Sequence, residues 1–354
     1  MVVLTSKESM IQTFIELFAG IGFMRLALEE CGYRCVFAND ICPKKCNVYN
    51  QNFGHPNVIC DDIRNIPPHK IPKADLATIS FPCTDVSVIY QGGRSLHGSK
   101  SSIIWFVLDL IQSMGNSKPK YILIENVVGL LTANAGCDIK QLLQMLEKIG
   151  YSCDVTAVNA IHFVPQTRNR IFIFAIQSNA IATALVNTNV LLRRPKSIQR
   201  LWKQMQWSLL LPLTPPPEKK NIQDFIQDLP EHSNLWFDEH KTLYWLERLV
   251  RPLSQNQRYY VGRRRHNKIH LKEESHCLLT SSDRLLLFDV HKRPRIRYMT
   301  INECLMLQGV VRFDFAKLPT TTILNFIGDA VCVPAVRYII EAFTTSANNN
   351  LRYV

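Results

Sequence analysis

Cys83 stands in SFPCTDVS (residues 80–87), where the apolar run DLATISF gives way to polar residues. A buried cysteine is ordinarily a small apolar filler. A thiol at the carboxyl end of a strand in an α/β sheet instead faces the crevice where ligands bind. Glu125 ends the next apolar run, in IENV, and so belongs to the same crevice. A carboxylate beside a thiol disfavours the thiolate, so the pair makes little sense as a hydrolase dyad. It suits a sulfur that attacks a substrate which the acid protonates or grips. Arg168 and Arg170 in QTRNR lie two apart. In a strand that puts both on one face, where they offset negative charge and hold an anionic substrate.

A second group points to a nucleoside. ELFAGIGFMRLALEECG places Gly20 and Gly22 between a strand and a helix, where glycine lets a ligand approach the backbone and the helix N-terminus. G-x-G alone also fits a tight turn. Asp40 ends the second strand, 18 residues beyond Gly22, where an acid accepts hydrogen bonds from ribose hydroxyls. Asp62 in VICDDI can hold the exocyclic amine of an adenine or simply close a surface turn. There is neither a P-loop nor a full G-x-G-x-x-G, so no phosphate cradle is indicated.

These residues need a frame that collects strand ends. Strand patterns at 13–17, 35–40, 74–81, 120–127 and 170–176 alternate with helical patterns at 24–31, 43–52, 102–113 and 138–149. Such β-α-β alternation predicts a mostly parallel sheet with helices on both faces. From 178 to about 295 the periodicity is irregular, and LPLTPPPEKK reads as a linker or loop. Helical patterns return at INECLMLQGV and AVRYIIEAF, which are expected to fold back onto the first domain. The domains are therefore read as 10–177, 178–295 and a returning segment, 296–354.

The 354 residues are 47% hydrophobic and 20% charged, ordinary for a globular protein. The net charge of +12 and pI near 9.2 favour a polyanionic partner. Residues 248–272 hold eight Lys or Arg and no acid, with tyrosines interleaved in RYYVGRRRHNKIH. A charge run is by default a solvated face; the aromatic interleaving makes nucleic-acid contact an equal reading. No signal-peptide pattern and no apolar run of membrane-span length is read here, so a cytoplasmic location without a membrane is expected. The 11 cysteines are irregularly placed and suggest no disulfide framework. Cys31, Cys35, Cys42 and Cys46 lack paired C-x-x-C knuckles, and no metal site is expected.

The order of the motifs resembles the cytosine-5 DNA methyltransferases, of the prokaryotic restriction-modification type, over almost the full length. FAGIG resembles the cofactor loop, ND (39–40) the ribose acid, FPC (81–83) the nucleophile loop and ENV (125–127) the glutamate motif. QTRNR resembles Gln-x-Arg-x-Arg, NECLMLQG (302–309) the late helix and GDAV (328–331) the terminal Gly-Asn-Ala-Val. The resemblance implies a Rossmann-like S-adenosylmethionine-dependent methyltransferase sheet with a smaller, irregular target-recognition domain. It implies methylation at carbon 5 of a cytosine flipped out of duplex DNA, through a covalent Cys83 adduct, with Glu125 on the base and Arg168 and Arg170 in support. It assigns S-adenosylmethionine to Phe18, Ala19, Gly20, Gly22, Asp40, Ile41, Asp62, Ile63, Ile104, Asp329, Ala330 and Val331. Ser87 in a mobile loop (84–91), Arg258, Arg263, Arg264 and Arg265 are expected to contact DNA. A monomer bound to the nucleoid is implied, with a cognate restriction endonuclease but no stable complex. Ser102-Ile103 replaces the usual Gly-Thr before Ile104, Asn302 replaces Arg, and Asp329 replaces Asn. The alternatives are a tRNA methyltransferase of the same fold, whose Cys-Phe-Thr signature is absent, and a silent nucleic-acid binder.

Overall fold

The computed structural model describes residues 13–83, 85, 95–178, 191–205, 213, 215–217, 219–253, 257–280, 284–291 and 293–351, with side chains to 344. They form two compact units. Unit 1 gathers the described residues of Met1–Val158, Asn169–Thr214 and Val336–Val354, and unit 2 those of Asn159–Arg168 and Pro215–Ala335.

Unit 1 is built on seven strands: β1 (Thr13–Leu17), β2 (Arg34–Asp40), β3 (Ile59–Cys60), β4 (Leu76–Ile79), β5 (Tyr121–Val127), β6 (Tyr151–Asn159) and β8 (Asn169–Gln177). Their order is β3-β2-β1-β4-β5-β8-β6. Pairing is parallel from β3 through β5, and β8 runs antiparallel to β5. The central strands are near-continuous apolar runs because helices cover both faces. β1 lies between β2 and β4, so the order reverses there, and loops leaving β1 and β4 open onto a topological switch point.

α1 (Phe23–Glu30), α2 (Pro43–Asn52), α3 (Ile103–Ser113) and α4 (Cys137–Lys148) follow their strands. Their apolar stripes bury Val107, Leu108, Leu142 and Leu146 against Ile15, Ile79, Ile122 and Ile173. β6 escapes a reading by apolar run because Ser, Asp and Thr interrupt it. Its buried Asp154 is paired with Arg194 at 2.9 Å, which is how an acid is tolerated in a core.

Unit 2 holds an antiparallel sheet of β9 (Tyr259–Arg265), β10 (Lys268–Lys272), β12 (Leu286–Asp289) and β13 (Arg295–Tyr298), in the order β10-β9-β12-β13. β7 (Gln166–Thr167) pairs in parallel with β11 (Ser275–His276). α6 (Glu239–Leu246) contributes Trp245 to a small core with Tyr260, Ile269, Leu286, Phe288 and Ile296.

The units cross the boundaries read at 178 and 296. α5 (Lys196–Met205) stays with unit 1 because Ile198 and Leu201 join its core. Residues 159–168 go to unit 2, where Gln166 donates to Leu307 O at 2.6 Å and accepts from Leu278 N at 3.0 Å. α7 (Ile301–Met306) belongs to unit 2 through a buried Arg297–Glu303 pair. α8 (Thr320–Asp329) is also in unit 2; of the late helices only α9 (Val333–Leu351) enters unit 1. There Phe343 stacks on Phe174 at 4.8 Å. Contrary to the sequence expectation, Thr320–Thr344 is long and apolar enough for a membrane span, with mean hydropathy 1.6. Here it is two helices, and most of its apolar window is buried inside the protein.

Candidate functional site

The turn after β1 is shaped by backbone conformation. Phe18 and Gly20 both have φ 59°, and Gly22 has φ 89°. Asp40 locks this turn: its Oδ2 accepts from Gly20 N and its Oδ1 from Cys42 N, both at 2.8 Å. Ala19 N donates to Asn39 O. The two glycines serve different ends. A Cβ on Gly20 would meet nothing within 4 Å, whereas one on Gly22 would lie 2.2 Å from the Phe53 ring. Gly20 thus leaves open space over the turn, and Gly22 lets α1 pack against α2. Ile41, beside Asp40, is 64% exposed, an apolar surface of the kind a purine ring covers.

Below the turn, Glu16 is fully buried. Tyr49 donates to its Oε2 at 2.9 Å and Arg25 donates to the Tyr49 hydroxyl at 3.3 Å. Burial pushes the Glu16 carboxyl up to about 8, so it is protonated at neutral pH. Two of the clustered thiols are committed to the same packing: Cys35 Sγ to Phe37 O and Cys46 Sγ to Asp40 O, each at 3.4 Å.

Three of the residues assigned to the cofactor are also engaged within the fold. Asp62 caps a short turn and pairs with Arg64 at 2.5 Å; the Arg64 hydrogen bond holds its carboxyl below the usual range. Ile63 and Ile104 are buried in the hydrophobic core, and Ile104 is 0% exposed. Burial of both side chains stabilises the core beside the sheet.

Cys83 is partly exposed, on a segment pinned at three points. Asn126 Nδ2 donates to Phe81 O at 3.2 Å, and Ser101 Oγ to Pro82 O at 2.8 Å. The buried Asp85 carboxylate accepts from Lys100 N and Ser101 N, each at 2.8 Å. Ile79 is the register partner of Ile124, so Glu125 and the Cys83 loop leave adjacent strands at the same sheet edge. Glu125 is 8% exposed and paired with Arg170 Nε at 3.1 Å. That pair follows from register: Arg170 is opposite Val127, two residues from Glu125 and on its face. Ser87 lies outside the described residues.

Arg168 and Arg170 do not share a face. Arg168 sits between β7 and β8, buried, and its guanidinium donates to Leu278 O at 3.1 Å, Gly328 O at 3.2 Å and Ala330 O at 2.6 Å, all in unit 2. A break between strands rotates the chain out of alternation. Arg168 therefore fixes the turn at the end of α8, where Asp329 is exposed and Val331 buried.

The basic stretch is also divided. Arg258 pairs with Asp228 at 2.8 Å and Asp289 at 3.3 Å. Arg263 is buried and donates to Cys277 O. Both are engaged within the protein. Arg264 and Arg265 are exposed at the tip of the β9–β10 hairpin, and Arg265 is the register partner of Lys268. Like charges directly opposite are unfavourable by themselves and suit an anionic partner.

The family model for C-5 cytosine-specific DNA methylases matches residues 12–345. The chain belongs to the C-5 cytosine-specific DNA methylase family. It is 36% identical to the type II methyltransferase M.DsaV of Dactylococcopsis salina over 188 residues, 52% of this chain and 50% of that relative. It is 28% identical to type II methyltransferase M.Bsp6I of Bacillus sp. (strain RFL6) over 335 residues, 92% of this chain and 96% of that one. The S. pombe Dnmt2 methyltransferase structure shares the fold at TM-score 0.66 and 20% identity, covering 96% and 99% of the two chains. The Rossmann-like sheet expected of a methyltransferase is thus the observed one.

Sequence reading missed the positioning residues of this methylase: Ser101 and Asn126 on the Cys83 segment, and Asn39, whose amide ties Ile59 O and Asp61 O at 2.9 and 2.8 Å. Asn39 and Asn126 each sit beside a motif acid; an amide ending an apolar strand was the available signal.

Proposed function

We propose that this chain is a DNA (cytosine-5-)-methyltransferase of a type II restriction-modification system. It acts on duplex DNA at a cytosine turned out of the helix, with S-adenosylmethionine as methyl donor. The open side of Gly20, the carboxylate of Asp40 and the exposed Ile41 fit that cofactor, and Phe18 and Ala19 line the same turn. Bound there, it supplies an activated methyl group.

The observation that carries the reading is the Arg170-paired Glu125 on the strand beside the pinned Cys83 loop. Cys83 loses its proton to solvent and its thiolate adds to carbon 6 of the cytosine. Addition makes carbon 5 nucleophilic, because the C5–C6 double bond becomes an enamine. The Glu125 carboxyl, protonated from solvent as the base binds, donates to ring nitrogen 3 and accepts from the exocyclic amine; nitrogen 3 takes that proton as the thiolate adds and returns it to Glu125 when Cys83 is expelled. Arg170 fixes the carboxylate that does this and balances its charge. Methylation at carbon 5, loss of the carbon-5 proton to a base and expulsion of Cys83 restore the aromatic ring. Covalent addition divides one high barrier into two lower ones. The base must be extrahelical because its carbon 6 is blocked inside the stack. Arg264 and Arg265 serve as phosphate contacts in unit 2, the target-recognition part, whereas Arg168 acts by holding the 328–331 turn.

The test is a plasmid co-expressed with the protein and sequenced after bisulfite treatment. Methylated cytosines in one sequence context are expected, and none with Cys83→Ser. A duplex carrying 5-fluorocytosine at that site is expected to trap wild-type protein covalently, because fluorine cannot leave as a proton. Methylation without trapping would overturn the covalent step; labelling of tRNA instead of DNA would overturn the substrate.

A further inference from the structure

Unit 2 contains an open cavity of about 470 Å³ that the methyl-transfer chemistry leaves unused. Trp236, Phe237 and Tyr298 supply aromatic surface, and Lys241 and Arg284 supply charge. Lys241 Nζ stands 3.9 Å from the Phe237 ring centroid and 5.5 Å from that of Tyr298, and the Arg284 guanidinium lies 4.3 Å from the Tyr298 centroid. Two cations thus converge on one ring. Among the described residues neither has a carboxylate at ion-pair distance. Among the described residues Arg284 Nη2 donates to Met299 O, at 3.4 Å, and its buried Nε has no hydrogen-bond partner. The acid in the lining, Asp238, uses Oδ1 to cap α6 through Lys241 N at 2.7 Å.

Thr320, also in the lining, is the first residue of α8, whose N-cap is Pro319 and which has no side-chain cap. The unsatisfied amides and positive dipole end of that helix add to the charge of the two side chains. An anion is the group this arrangement lacks. The volume decides its size: pockets of roughly 300–1,000 Å³ hold whole small molecules, and a single phosphate leaves most of this one empty. Aromatic walls beside cations take a base together with its phosphate.

We propose that this cavity is a nucleotide-binding pocket, with the phosphate at Lys241, Arg284 and the first turn of α8, and the base against the aromatic wall. The nucleotide is free or is one unit of a DNA strand; the recognition chemistry is the same. The inference stands independently of methyl transfer, because its readout is binding.

Calorimetry on the full chain with dAMP, dCMP, dGMP, dTMP and inorganic phosphate tests it. At least one mononucleotide is expected to bind tenfold or more tightly than phosphate. Lys241→Gln and Arg284→Gln should each weaken it at least tenfold, with S-adenosylmethionine affinity in unit 1 unchanged. Lys241 is exposed, so its variant keeps the test valid if the Arg284 variant misfolds. Displacement of the mononucleotide by an oligonucleotide duplex identifies a strand unit as the occupant; additive binding identifies a free nucleotide. Mononucleotides that bind no better than phosphate, or affinity untouched by Lys241→Gln, overturn the proposal.

Discussion

The strand-end site of unit 1 and the basic stretch 248–272 of unit 2 are both made of charged side chains, and they use them in opposite ways. In unit 1 each acid is held by specific donors: Asp40 by two amides, Asp85 by two more, Glu125 by Arg170. In unit 2 the cations are divided. Arg258 goes to Asp228 and Asp289, and Arg263 to a carbonyl. Arg248 donates to Tyr244 O and Asn267 Oδ1. Among the described residues of this stretch, the exposed cations are Arg251 and the hairpin-tip Arg264, Arg265 and Lys268. Strand ends are places where topology dictates direction, so a motif residue there points at the crevice. A charge run on a twisted antiparallel sheet alternates between faces, and half of it turns inward to partners far along the chain.

The comparison is tested most severely at Glu125. Arg170→Ala leaves a buried carboxylate without its ion-pair partner, which costs about 3–5 kcal/mol. The urea midpoint should drop accordingly and methyl transfer should fall with it. Arg170→Lys should restore stability better than activity, since a point charge cannot reproduce the planar donor. Equal stability of Arg170→Ala and wild type would show that Glu125 has no need of the pair.

A second test uses pH. Glu16 keeps its proton in the folded state up to about 8, while unfolded it ionises near the usual 4.3. The folded state then binds the extra proton between those values, so this group's contribution falls as pH rises from about 4.5 to 8 and levels off above. The slope is about 1 kcal/mol per pH unit. Urea unfolding at pH 5, 6.5 and 8 should show Glu16→Gln losing that component relative to wild type. Parallel pH profiles would mean Glu16 ionises normally.

The two glycines separate packing from access. Gly22→Ala sets a methyl against Phe53 and is expected to cost about 1–3 kcal/mol from overpacking, in addition to about 1 kcal/mol for its left-handed backbone. Gly20→Ala carries only the backbone cost, but its methyl enters the open space above the turn. S-adenosylmethionine affinity should therefore fall more for Gly20→Ala than its stability does. The reverse ranking in thermal unfolding would undo the distinction.

The smallest effects belong to the hairpin tip. Arg264→Ala and Arg265→Ala should leave stability unchanged and lower the salt slope of duplex binding by about one unit each. Arg258→Ala should do the opposite, reducing stability with no change in the salt slope. A salt slope that responds to Arg258 alone would reassign the DNA-facing surface.

What the sequence by itself determined was the alternation of elements and the strand-end placement of Cys83, Glu125, Asp40 and the Gly20 turn. Apolar periodicity and chain order are local properties, and a parallel sheet converts them into position at its carboxyl edge. Tertiary structure alone decided which residues hold that site. Arg168 and Arg170 are two apart in sequence, yet a break between strands sends one to the turn after α8 and leaves the other on Glu125. Ile104 matches a cofactor motif and is wholly buried. The eight cations at 248–272 look alike until Asp228 and Asp289 claim Arg258. Each of these outcomes depends on a partner tens to more than a hundred residues away. Periodicity carries no information about which distant donor or acceptor the fold will bring within hydrogen-bonding reach.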